Sequence, residues 1–209
     1  MNVFTAMNEL LKRPDDALSR ATERPPSRSV ALLAGAIGCY VLYGAAAGLF
    51  QGGSTVAIAV LKVPLIIVGT LVLCVPSFYI FTALAGIDYT PRTFATAIAG
   101  FCGVAGLILL ALMPIVWLFS VSTISLGFVV WLHVLTWMAA LVFARQFLIR
   151  SARSASAAIG LWLVLVFLVS LQMTTYVRPV LWRSAGEPIF AREKMSFFTH
   201  LHDVGSWKP

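Results

Sequence analysis

Five long runs of apolar residues, separated by short polar gaps, constrain this sequence more than any other feature. A helix rises about 1.5 Å per residue, so about 20 apolar residues cross the ~30 Å hydrocarbon core of a bilayer. The runs lie at residues 30–50, 63–86, 94–119, 126–144 and 155–177. The sequence therefore predicts an all-α fold, a polytopic transmembrane helical bundle of about five spans.

The composition excludes a soluble globular domain. Hydrophobic residues make up 60% of the chain and charged residues 11%, and the mean hydropathy is +0.92. Soluble domains average about 45–50% apolar and about 25% charged residues. Water cannot accommodate that apolar surplus on the surface of a 209-residue chain, whereas a bilayer can. The gaps between the runs are too short for a second domain.

The positions of the basic residues predict the topology. The net charge is +7, and the basic residues fall between the apolar runs, which favours lipid headgroups over nucleic acid as their partners. Five lie in the tail 1–29, one lies between the second and third runs, and three lie between the fourth and fifth. The two other short loops, 51–54 and 120–125, have none, so the positive-inside rule predicts a cytoplasmic N-terminus.

The C-terminal segment, residues 178–209, is the weak point of this topology. Five crossings place it outside the cytoplasm, yet it contains five basic residues. An even number of spans is therefore the alternative.

Two segments allow two interpretations each. In the tail, Phe4, Met7 and Leu10 form an apolar stripe, which predicts either an interfacial helix on anionic lipid or a loosely ordered tail. The second run is apolar from Thr55 onward, longer than one crossing needs. It is either one kinked helix or, as we favour, a short interfacial helix 55–62 before the span, because Lys62 then reaches the headgroups.

Small residues recur every fourth position in two of the runs. Close packing of small residues drives helix association in lipid, where the hydrophobic effect between helices is weak. These positions predict helix contacts, either within the bundle, which we favour, or with a partner subunit or second copy. They are Gly44, Gly48, Ala95, Ala99 and Gly103.

His133 is the ionisable residue closest to the middle of an uninterrupted apolar run. Burying such a group is costly unless it is neutral or paired, so it is a candidate for a proton relay or a haem ligand. A structural hydrogen bond to Thr136 or Thr123 is the favoured alternative. Gln172, near the end of the fifth run, invites a hydrogen bond between helices.

The sequence lacks the motifs of soluble enzymes and of metal sites. It contains no nucleophile elbow, zinc-protease motif, phosphate-binding glycine loop or paired-cysteine motif. His200, His202 and Asp203 are too few for a convincing metal site. We therefore predict no catalytic residues, no metal and no cofactor, with His133 as a weak candidate for cofactor binding.

Two stretches, residues 61–86 and 171–201, resemble an uncharacterised family of bacterial five-span inner-membrane proteins. That family has a lysine-x-proline span and a Gln-Met…Arg-Pro tail. In the span, the matching positions are Lys62, Pro64, Pro76, Ser77, Tyr79 and Gly86. In the tail, they are Gln172, Met173, Arg178, Pro179, Pro188, Phe190, Arg192, Phe197 and Phe198.

The overall plan is also similar to that of Yip1-domain proteins, although the Gly-Pro motifs of the eukaryotic members are missing. Both resemblances imply a membrane fold and positions of interest, and the first implies a multi-pass protein of the bacterial inner (plasma) membrane. Neither implies an activity.

The absence of catalytic motifs and the presence of small-residue faces favour one function at this level. We expect a non-catalytic accessory or scaffold subunit of a larger membrane complex, with the lipid bilayer and other membrane subunits, or a second copy, as partners. A permeation or transport protein for small solutes, ions or protons is the first alternative, with Lys62, His133 and Gln172 as polar stations. A haem or quinone protein using His133 is the second.

Overall fold

The computed structural model describes residues 2–12, 27–152 and 156–177, and in these residues the chain is helical without strands. The helices are α1 (Val3–Lys12), α2 (Ser27–Gly48), α3 (Ser54–Leu84), α4 (Pro91–Ser122), α5 (Leu126–Ala152) and α6 (Ser156–Tyr176). Helices α2 to α6 are each long and apolar enough to cross a membrane. The predicted all-α transmembrane bundle is therefore confirmed.

The C-terminal tail 178–209 lies outside the described residues. Its predicted motif residues Arg178, Pro179, Phe190 and Arg192 lie outside them as well.

Successive spans run antiparallel, which gives the bundle two distinct ends. Helices α2, α4 and α6 begin at the end that carries Arg28 and Arg92, called the basic face below. At the opposite face, the short turns 49–53 and 123–125 contain no charged residue. In the first of these turns, Gly52 and Gly53 have φ values of 73° and 56°, a backbone conformation that glycine adopts without strain.

Helix α4 packs against α2 and α5, while α3 packs on α2 and α6. Glycines allow the close approach of α2 and α3. A Cβ atom on Gly44 would lie 2.7 Å from the carbonyl oxygen of Ala59, and one on Gly48 would lie 2.6 Å from the Cα of Val56. Because backbone atoms cannot move aside, only glycine fits at these two positions.

The small-residue positions on α4 divide between the core and the surface. Ala99 and Gly103 are buried, and a Cβ on Gly103 would meet Leu10 of α1, whereas Ala95 is exposed. Four of the five predicted small residues thus lie in contacts within this chain.

Helix α3 is continuous from Ser54 to Leu84 and contains both Pro64 and Pro76. This differs from the separate interfacial helix 55–62 that we favoured from the sequence. That interpretation assumed that Lys62 reaches the headgroups, but Lys62 is only 4% exposed and faces the bundle. Proline within a spanning helix is tolerated where neighbouring helices and side chains satisfy the freed backbone groups.

Helix α1 packs against α2 and α4 beside the spans. Ala6, Met7 and Leu10 are buried, while Phe4 is 78% exposed. Gly35 and Gly103 make room for α1, since Cβ atoms there would lie 2.8 Å from side-chain atoms of Met7 and Leu10. Two residues of the apolar stripe therefore contact protein, and Phe4 remains on the outside.

Candidate functional site: a polar cluster inside the bundle

Three side chains from α2 and α5 form a hydrogen-bonded cluster within the spans. The Tyr43 hydroxyl lies 2.8 Å from Nδ1 of His133 and 2.7 Å from the Thr136 hydroxyl. The Thr136 hydroxyl also lies 3.0 Å from the His133 carbonyl oxygen, to which it can donate. Tyr43 and Thr136 are buried, and the rings of Tyr43 and His133 meet edge to face.

The helix register places this cluster nearer to the opposite face than to the basic face. Tyr43 comes five residues before the end of α2, and His133 comes seven residues after the start of α5. At about 1.5 Å per residue, both lie roughly 7–11 Å inside those helix ends.

The cluster has two complete hydrogen-bond arrangements. In the first, the Tyr43 hydroxyl donates to Nδ1 of His133, Thr136 donates to Tyr43, and the histidine proton is on Nε2. In the second, Nδ1–H of His133 donates to Tyr43, Tyr43 donates to Thr136, and Thr136 donates to the His133 carbonyl. The two arrangements differ in which ring nitrogen of His133 carries the proton.

The second nitrogen of the imidazole, Nε2, is buried and has no hydrogen-bond partner. The Ser120 hydroxyl, near the end of α4, is buried without a partner as well. An unsatisfied polar atom in a membrane core is costly, so Nε2 of His133 is the atom of this cluster that remains available to a ligand or a proton.

A small cavity lies between the helices deeper in the bundle. Its volume is ≈ 10 Å³, which is about the room one water molecule needs. Two of its lining residues, Thr70 and Trp137, contribute buried polar atoms (Oγ1 and Nε1) without partners. A third, Tyr40, donates a 2.7 Å hydrogen bond to the Cys102 carbonyl.

Aromatic residues fill the core toward the basic face. The ring of Trp162 lies 4.4 Å from that of Phe78 and 5.2 Å from that of Phe101, measured between ring centroids. Nε1 of Trp162 donates a 2.9 Å hydrogen bond to the Cys74 carbonyl. The interior thus changes from polar side chains near the opposite face to packed aromatic rings near the basic face.

The remaining predicted polar positions have different environments. Lys62 is buried on α3, whereas Gln172 is exposed on α6. Of the two hydroxyls suggested for His133, Thr136 belongs to the cluster, while Thr123 accepts a hydrogen bond from the Ser125 backbone.

Sequence reasoning missed Tyr43, the residue that joins α2 to α5. Its signal in the sequence is weak, because a tyrosine in an apolar run is also a common core residue. Among the described residues, no group of three or more His, Cys, Asp or Glu side chains is arranged to hold a metal ion. The haem or quinone interpretation of His133 stays a prediction.

Comparisons with protein-family models, with curated proteins and with solved structures find no match. The resemblance carried by residues 61–86 and 171–201 therefore also stays a prediction. The fold itself defines the class: this is a multi-pass helical membrane protein.

Proposed function

We propose that the protein is a non-catalytic accessory or scaffold subunit of a larger membrane complex. The observation that carries the proposal is the position of α5 at the edge of the bundle. Of the 18-residue apolar stretch of α5, only 22% is buried inside the chain, compared with 50% of the corresponding stretch of α2. Much of α5 is therefore available to a second membrane protein.

The exposed side of α5 has the pattern of a helix contact. Phe128, Trp131, Leu135 and Met138 are each between 43% and 53% exposed and follow one another at intervals of three and four residues. That spacing forms a continuous stripe along which a second helix can pack. Aromatic residues and methionine are enriched at protein interfaces. The proposed occupant is a transmembrane helix of another subunit.

The interior supports a structural role for two of the buried polar groups. Tyr40 and Trp162 each donate to a backbone carbonyl of a neighbouring helix. Such bonds fix the helices relative to one another. A rigid bundle with an open outer helix is suited to holding a neighbour in place.

The proposal is tested by the mass of the particle extracted in a mild, uncharged detergent. We expect the wild type to co-purify with a second membrane polypeptide in a fixed ratio. The double variant Trp131→Ala, Leu135→Ala should lose that polypeptide. The matched control, Leu65→Ala with Val72→Ala, alters exposed residues of α3 and should retain it. A wild-type protein that is monomeric by native mass spectrometry contradicts the proposal.

Proton or ion permeation is the second candidate, and one observation favours it. The Tyr43–His133–Thr136 cluster has two hydrogen-bond arrangements, which differ in the ring nitrogen of His133 that carries the proton, so a relay through it would also need a proton acceptor at Nε2. Intramembrane histidines with this property occur in proton relays.

Flux measurements separate the two candidates. In liposomes with an internal pH dye, a relay predicts proton flux that falls about 10²-fold in Tyr43→Phe or His133→Gln. Tyr79→Phe, at an exposed position of α3, should leave that flux unchanged. Equal dye responses in protein-containing and empty liposomes would exclude this candidate.

A further inference from the structure

The guanidinium of Arg28 is buried at the basic face and pairs with a carboxylate of α1. Arg28 is the second residue of α2 and is only 3% exposed. One of its nitrogens forms an ion pair of 3.1 Å with a carboxylate oxygen of Glu9, whose side chain is 40% exposed. The ion pair therefore lies at the margin of the α1 contact, with the arginine on the inside and the glutamate partly outside.

The hydrogen-bonding capacity of Arg28 exceeds what Glu9 uses. A guanidinium has five N–H donors, and both Nε and the second terminal nitrogen of Arg28 are buried without a partner. Leaving charged donors unsatisfied is costly. A ligand with several anionic oxygens would satisfy more of them than the single oxygen that Glu9 presents.

The surroundings of Arg28 also favour an anion. Helix α2 begins at this face against the second turn of α4, where the hydroxyls of Ser29 and Thr96 lie 3.2 Å apart. The N-terminus of α2 carries a partial positive charge, so a cation in its first turn is unfavourable without a counter-anion. The start of α2 and a guanidinium together favour a phosphate group.

We propose that Arg28 is a phosphate-binding residue whose site Glu9 of α1 occupies, and that a phosphate group displaces Glu9 and releases α1 from the groove between α2 and α4. Displacement is required because Nε and the unpaired terminal nitrogen of Arg28 are buried and have no exposed surface. Binding and the release of α1 are therefore one event. This inference does not depend on the function proposed above.

The position of Arg28 at the end of a spanning helix makes a lipid headgroup the first source of the phosphate. Basic side chains at helix ends lie at the level of the headgroups and attract anionic lipid. Free phosphate has the same chemistry, so the experiment has to separate the two sources.

Hydrogen–deuterium exchange of the α1 amides in maltoside micelles, which contain no phosphate, measures the release. The additions are phosphatidylglycerol, diacylglycerol as the lipid without phosphate, and inorganic phosphate. We expect phosphatidylglycerol to accelerate exchange in α1 by about 10-fold or more and diacylglycerol to have no effect. Arg28→Gln should abolish the acceleration, whereas Arg92→Gln, an exposed arginine at the same face, should retain it.

The outcomes distinguish the sources and can overturn the proposal. Acceleration by inorganic phosphate to the same extent supports the phosphate site and assigns it to the free anion. No acceleration by either phosphate source, or acceleration that persists in Arg28→Gln, overturns it. Exchange of the α3 amides, measured in the same samples, reports whether each variant is folded.

Glu9→Gln provides a second test that does not depend on the folding of Arg28→Gln. Removing the competing carboxylate should accelerate α1 exchange before any addition. It should also lower the concentration of phosphatidylglycerol at half-effect by about 10-fold. An unchanged half-effect concentration would show that Glu9 does not occupy the site.

Discussion

Individual polar side chains link helices that are distant in the sequence. Trp162 is fully buried, and its indole nitrogen donates to the Cys74 carbonyl across the α3–α6 contact. The same carbonyl accepts a 2.7 Å hydrogen bond from the Ser77 hydroxyl. Both bonds lie beside Pro76, where the regular hydrogen bonding of α3 is interrupted. The Trp162 side chain thus stabilises α3 near Pro76.

Replacing Trp162 with phenylalanine tests this role. The change removes the hydrogen bond and leaves a void beside Phe78 and Phe101, so we expect destabilisation by about 2–4 kcal/mol. Trp131→Phe, at a half-exposed position of α5, should change stability by less than about 0.5 kcal/mol. Equilibrium unfolding in mixed micelles of sodium dodecyl sulfate and mild detergent measures both, and equal effects would contradict the assignment.

At the scale of helices, the contact between α2 and α3 depends on glycine. Gly44 and Gly48 of α2 face Ala59 and Val56 of α3, with no space for a Cβ atom at either glycine. Gly38, on the same helix, has open space where its Cβ would be. Gly44 and Gly48 are therefore positions that require glycine, whereas Gly38 is a position that alanine can occupy.

Alanine substitution separates these positions. Gly48→Ala should push α3 away from α2 and lower the free energy of unfolding by about 1–3 kcal/mol. Gly38→Ala should leave stability unchanged or raise it by up to about 1 kcal/mol, because alanine favours the helix. The ranking is checked by thermal unfolding followed by circular dichroism. Similar losses in both variants would mean that α2 and α3 do not meet closely.

At the scale of the whole molecule, the orientation of the bundle across the membrane can be tested. Ser54 begins α3, and Asp88 lies in the loop after its other end, on the opposite face of the bundle. The three native cysteines are buried, so a cysteine introduced at either position would be the readily labelled thiol among the described residues. The positive-inside rule predicts that the basic face, and with it Asp88, lies in the cytoplasm.

Labelling of intact cells with a membrane-impermeant maleimide tests this orientation. We expect Ser54→Cys to react in intact cells, and Asp88→Cys to react only after the cells are lysed. The reverse pattern would invert the predicted topology. Equal labelling of both in intact cells would be inconsistent with a spanning α3.

The spans could be predicted because their formation depends on local properties. In lipid, each backbone polar group needs a partner inside its own segment, so an apolar run of sufficient length becomes a helix whatever it packs against. The boundaries of α2, α4 and α6 follow closely from the apolar runs for this reason. The basic residues in the gaps likewise predicted the distinction between the two faces.

The candidate site could be predicted only in part. His133 was identified because an ionisable residue in an apolar run is conspicuous, and Thr136 was named, together with Thr123, as a hydroxyl available to it. Tyr43, 90 residues from His133 in the sequence, was missed. Its partner depends on the relative rotation and register of α2 and α5, to which many residues along both helices contribute.

By itself, the sequence determined that this is a helical membrane protein and that its two faces differ in charge, since both follow from the length and charge of single segments. Only the tertiary structure decided that Lys62 is buried within a continuous α3, that Glu9 of α1 pairs with Arg28, and that Tyr43 meets His133. These features require helices far apart in the chain to lie side by side at a particular rotation. Successive residues are rotated by about 100° around the helix axis. A small change in register would therefore turn a side chain away from its partner and toward the lipid.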